Sequence, residues 1–150
     1  MKLLNKWLTG LIDRLFNRNI IIKDVCVIKY GEPTRNGYVY SKGCIDLEDL
    51  NAKIKNGLLL GKLDSGDDRL DNVMSNLCQA SHVIIGADDS DESLKLCVKT
   101  LKTDNGRLLK DLMKLQPLTF TPCCLGKVGS NGEIFSAKIV SINARPMIKQ

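Results

Sequence analysis

A single histidine, a single tryptophan and four prolines among 150 residues leave this chain short of several common chemistries. His82 stands alone, no carboxylates cluster with it, and the six cysteines contain no Cys-x-x-Cys pair, so neither a metal site nor a cofactor is expected. Cys123 and Cys124 are adjacent, and neighbouring side chains diverge, so they do not bridge each other. With no signal peptide at the start, this cysteine usage points to a reducing cytoplasm. Cys26 and Cys97 fall in apolar stretches and read as small buried hydrophobes. Aromatic residues are only 5% of the chain, and no platform of aromatic and basic side chains accompanies the net charge of +5. Scattered Lys and Arg argue against specific nucleic-acid binding and leave at most a mild preference for an acidic partner. No apolar run is long enough to span a bilayer, so no membrane partner is expected.

What is present divides into an N-terminal arm over residues 1–18, a domain over 19–143 and a basic tail over 144–150. Leu3, Leu4, Trp7, Leu8, Leu11, Ile12, Leu15 and Phe16 recur at helical spacing, which predicts an amphipathic helix over 3–16. Such a helix either folds back on its own core or docks elsewhere. Trp7, Leu11 and Phe16 are the candidate anchors for docking. Ile20 to Tyr30 reads as a strand, and Tyr38-Val39-Tyr40 resumes extended structure after a turn at Gly37. Asp46 caps a predicted helix through Lys55 that Gly57 closes, and Leu58-Leu59-Leu60 reads as a short buried strand. The aspartate-rich stretch 64–76 reads as a loop. Strands are predicted at 77–87 and 93–101, with Leu94, Leu96 and Val98 alternating against Lys95, Cys97 and Lys99. Asp88-Asp89-Ser90-Asp91 between them reads as a solvated turn rather than a cation loop. Asp104 caps a second helix through Leu115, with Leu108, Leu109, Leu112 and Met113 inward, and strands at 117–128 and 133–142 follow. This order does not alternate as a parallel sheet requires. The expected class is α+β, a small and mainly antiparallel β-barrel with flanking helices.

Five short motifs stand in order along it: Asn36-Gly37-Tyr38-Val39-Tyr40-Ser41-Lys42, Gly61-Lys62-Leu63-Asp64-Ser65-Gly66, Ala80-Ser81-His82-Val83-Ile84, Leu101-Lys102-Thr103-Asp104-Asn105-Gly106-Arg107 and Phe120-Thr121-Pro122-Cys123-Cys124-Leu125-Gly126. From Val27 to Asn143 the series resembles the prohead (capsid maturation) proteases of tailed bacteriophages, which share a herpesvirus-assemblin-like barrel. The corresponding family patterns are N-G-R-x-Y-P-K, G-E-L-x-H-P, V-S-H-x-I, L-x-T-P-x-G-K and V-S-S-R-G-x-G. The resemblance implies a general-base histidine at position 65 and a nucleophilic serine at 121 or 122, where this chain has Ser65, Thr121 and Pro122. A serine hydroxyl is a poor nucleophile without an adjacent base, and losing one triad member typically costs several orders of magnitude in rate.

The resemblance with its departures implies a catalytically inactive relative rather than an enzyme. The expectation is a structural protein of the virion head, an auxiliary or decoration protein that binds and stabilises the major capsid protein shell. It would be made in the host cytoplasm, bind other head proteins, and form a homo-oligomer on the capsid lattice. Two alternatives stay open. One is an active maturation protease with Cys123 or Cys124 as nucleophile and His82 as base; the other is an internal scaffold or cargo protein of the head.

Overall fold

In the computed structural model of the chain, residues 19–63 and 79–147 are described, together with Leu8. The expected arm helix apart from Leu8, the loop at 64–76 and the last three residues of the expected tail lie outside the described residues. The elements run β1 (Ile21–Lys29), β2 (Val39–Tyr40), α1 (Leu47–Lys55), β3 (Leu60–Lys62), β4 (Ala80–Asp89), β5 (Ser93–Thr100), α2 (Asp104–Leu115), β6 (Leu118–Val128) and β7 (Glu133–Pro146).

The strands form two sheets. One has the order β1-β5-β4-β3 with every neighbour antiparallel; the other has the order β2-β7-β6, with β6 antiparallel and β2 parallel to β7. The α+β class and the antiparallel bias hold, but the closed barrel does not. An isolated parallel bridge, Leu63 to Ala144, ties β3 to β7 on one side. On the other side β1 lies beside β6 with no ladder between them among the described residues. Both edges are poor ladder partners. β1 carries irregular register around Lys23-Asp24, where Asp24 takes a φ of 57°, and β6 contains Pro122, which has no N–H to donate.

Between the sheets lies a core of Ile28, Leu59, Ile84, Leu94, Leu96, Val98, Ile139 and Ile142, closed by Leu50 from α1 and Leu109 from α2. β5 alternates as its sequence predicts, with Leu94, Leu96, Val98 and Thr100 buried. α1 starts on Asp46, whose carboxylate accepts the N–H of Asp49, and ends in two bonds that reach back past Gly57: Gly57 N–H to Ile54 O and Leu58 N–H to Lys53 O. That pair is the Schellman closure, and it needs the positive φ that Gly57 supplies.

Several local expectations are corrected. The cap of α2 is Thr103, whose Oγ1 accepts the N–H of Gly106, rather than Asp104. Leu108 faces outward and Leu58 is exposed, because the Gly57 turn throws Leu58 off the sheet before β3 begins. Cys26 is exposed, since β1 is an edge strand with one open face, and Cys97 is half-buried. The turn of the β4–β5 hairpin starts at Ser90, so Asp88 and Asp89 belong to β4. β7 continues to Pro146 with Ala144 fully buried, so the first residues assigned to the basic tail are strand, held there by pairing with Leu118 and Thr119.

Candidate functional site

The motifs do identifiable structural work. Thr103 receives the Gly106 N–H and donates its own hydroxyl to Ala80 O at 2.7 Å, so one side chain both starts α2 and pins it to the head of β4. Gly106 has to be glycine: a Cβ there would stand 1.9 Å from Leu101 O. Asn105 Nδ2 adds a bond to Gln79 O. At the Asn36–Lys42 motif, the chain turns back on Thr34 and lays Val39 and Tyr40 along β7. Lys42 then reaches Asp89 Oδ2 at 2.8 Å and Ser90 O at 2.7 Å, while Tyr30 OH donates to Asp89 Oδ1. Desolvation works to raise the Asp89 pKa, but the bonds from Lys42 and Tyr30 bring it below the ordinary carboxylate value. The acidic hairpin tip is thus a clasp for the 38–42 segment.

His82 is fully buried on β4 and joins the two sheets. Its Nε2 lies 2.5 Å from Ile142 O on β7, and a carbonyl can only accept, so Nε2 carries the proton. Nδ1 is then the acceptor for the Ser81 hydroxyl at 2.7 Å. Burial pushes the imidazole pKa down to about 4, and the Ile142 carbonyl offsets this only in part, so the ring is neutral at neutral pH. Phe120 meets it edge-on at 5.2 Å. Gly61 makes room for this arrangement, because a Cβ there would lie 1.7 Å from Ile142 O and 2.1 Å from His82 Nε2.

The two segments that would carry chemistry converge on a residue the sequence reading missed. Asn143, on β7 and almost fully buried, accepts the Lys62 N–H on Oδ1 at 3.3 Å and donates from Nδ2 to Cys123 Sγ at 3.3 Å. The end of β3, which leads into position 65, and the middle of β6, with Thr121 paired to Asn143 and Cys123 to Ser141, thus lie on two sides of one amide. The signal was legible in principle: Ser141 and Asn143 are polar residues at the end of an apolar strand, and such residues are buried only where partners wait. Ser65 itself lies outside the described residues, as do Trp7, Leu11 and Phe16.

Thr121 and Pro122 are half-buried in β6. Cys124 receives the Tyr40 hydroxyl at 3.7 Å; burial raises its thiol pKa to about 11, outweighing that bond, so it is protonated at neutral pH. Burial likewise raises the Tyr40 phenol well above its ordinary value. Neither ring nitrogen of His82 is directed at a cysteine, since one is held by Ile142 and the other by Ser81. Among the described residues no group of three or more His, Cys, Asp or Glu is placed to hold a metal ion.

Neither a family model nor a curated protein sequence matches this chain. Among solved structures it is similar to the bacteriophage T4 capsid assembly protease. The TM-score is 0.63 at 13% sequence identity, over 84% of this chain and 90% of that one. At that identity the likeness is one of fold, and its reach over nearly all of both chains means the two sheets and both helices are shared as one unit. The chain has a prohead-protease-like fold.

Proposed function

We propose that this protein is a non-catalytic structural component of a tailed-phage head, an auxiliary or decoration protein that binds and stabilises the shell of the major capsid protein. One observation carries the reading: a capsid assembly protease fold combined with Ser65 and Thr121-Pro122 at the positions where the resemblance implies the histidine base and the serine. A serine at 65 cannot take up a proton near neutral pH, and Thr121 without a base is a poor nucleophile. The committed nitrogens of His82 and the protonated thiol of Cys124 support the same reading. The retained motifs fit it too, because Thr103, Gly106, Gly61 and His82 serve the fold and would be kept after the chemistry was gone. The proposed contacts with head proteins include the anchors Trp7, Leu11 and Phe16, and the proposed location is the virion.

A second reading, a maturation protease acting through Cys123, has one observation in its favour: the Asn143 amide donates to Cys123 Sγ and would stabilise a thiolate there. Incubation with the cognate capsid protein separates the two. No cleavage is expected, and cleavage abolished by Cys123→Ala would overturn the structural role. Quantifying the protein in purified mature virions tests the decoration role directly. A copy number comparable with that of the capsid protein is expected; absence from mature particles would move the role to an internal scaffold.

A further inference from the structure

On α2, Leu108, Leu112 and Leu115 recur at spacings of four and three and therefore share one side of the helix. It is not the side on the core. Gly106, Leu109 and Lys110 are buried, whereas Leu108 is 49% and Leu115 81% exposed, with Leu112 at the margin. Met147, whose N–H donates to Pro117 O just past the helix end, is exposed as well. A contiguous apolar stripe on a helix surface marks an interaction site more often than scattered exposed leucines do.

The chain carries a sequence that matches this stripe in length, polarity and charge. As a helix, residues 3–16 would run about 21 Å, against about 18 Å for the 12 residues of α2. Lys2, Lys6, Arg14 and Arg18 outnumber Asp13, which makes the N-terminal segment basic. The stripe is bordered by acid, since Asp104 and Asp111 fall in line with Leu108 and Leu115. Arg107 pairs with Asp104 at 3.2 Å, and Asp111 is exposed. The segment also leaves the fold in the right place. Ile20 N–H donates to Thr100 Oγ1 at 2.8 Å and Thr100 N–H donates to Ile20 O at 2.9 Å, which fixes the root of the segment four residues before α2 begins.

We propose that the Leu108–Leu112–Leu115 stripe of α2 is the seat for the N-terminal segment of a second copy of this chain, exchanged reciprocally in a two-fold pair. Within one chain both surfaces are left open, as Leu8, Leu108 and Leu115 are all exposed. Reciprocal exchange covers every segment and every stripe and closes on itself, so it ends at the pair instead of growing into a filament. The inference goes beyond the head reading and does not depend on it. If both hold, paired copies would grip the shell with the avidity of two contacts.

Sedimentation equilibrium of the full chain, with no capsid protein present, should show a monomer–dimer equilibrium. Leu108→Glu with Leu115→Glu changes side chains that are already exposed. It should raise the dimer dissociation constant about tenfold or more, with the circular dichroism melt unchanged. Trp7→Glu should do the same from the other side. Mixing those two variants discriminates between occupants: exchange between copies restores a heterodimer through the one intact segment and the one intact stripe, whereas docking within a chain does not. A wild-type chain that stays monomeric, a dimer indifferent to the α2 changes, or a mixture that fails to pair would each overturn the proposal. If the double variant alters the melt, Leu115→Ser at the most exposed position carries the same test. Capsid binding is measured separately, so the failure of either proposal leaves the other standing.

Discussion

Among single residues, His82 and Gly61 form a lock in which each explains the other. The imidazole spans from β4 to the Ile142 carbonyl, and only a residue without a Cβ lets β3 run past it. Gly61→Ala should therefore cost about 3 kcal/mol or more, since the atoms it meets include a backbone carbonyl that cannot swing aside; a urea titration measures it. His82 also makes stability depend on pH. Its folded pKa is depressed to about 4 from 6.5, so the neutral ring contributes fully above about pH 6.5. As pH falls from there toward 4, the unfolded chain takes up a proton that the folded one refuses, and stability drops by roughly 3 kcal/mol in total. Below pH 4 this contribution is flat. His82→Gln should remove that part of the slope, and an unchanged slope would mean the protons bind elsewhere. The thiols should differ in the same spirit. Exposed Cys26 should alkylate quickly near neutral pH, while Cys124, buried with its pKa raised to about 11, should react only on unfolding, as mass spectrometry after iodoacetamide would read.

Elements are bounded by side chains that serve two neighbours at once. Thr103 caps α2 and holds it to β4 through Ala80 O, so Thr103→Ala loses a cap and a half-buried bond together. A loss of about 1.5–2.5 kcal/mol is expected, with Thr103→Ser restoring most of it, measured as a shift in denaturation midpoint. That a helix starts near 104 is legible in the sequence. That its cap is Thr103 follows from where β4 ends, because the hydroxyl with a second partner at Ala80 O wins over Asp104. Leu108 shows the same limit: helical periodicity alone places it inward with Leu109 and Leu112, yet the sheets contact only the side centred on Gly106, Leu109 and Lys110. The clasp of Tyr30, Lys42 and Asp89 joins β1, the 38–42 segment and β4. Asp89→Ala should loosen amide protection around residues 30–42 with a stability change of about 1 kcal/mol, which hydrogen exchange would localise.

At the scale of the whole molecule, the likeness to a capsid assembly protease covers 84% of this chain while only 13% of residues are identical, which fits a fold held by pairings such as Gly61–His82 rather than by bulk composition. The strand and helix order, the caps at Asp46 and Gly57 and the alternation of β5 were all written in local pattern, because turn chemistry and side-chain period act over a few residues. The sequence by itself also determined that one histidine must serve the entire chain, and that Ser65 and Thr121-Pro122 occupy the motif positions. Only the tertiary structure decided that this histidine is committed to a carbonyl of the opposite sheet, that the sheets remain open beside β1 and β6, and that Asn143 stands between the two degenerate segments. Those outcomes depend on contacts between residues about 20 to 80 positions apart, such as Lys62 with Asn143 and Ile20 with Thr100. Which polar group is desolvated, and by whom it is satisfied, is settled only when distant strands meet.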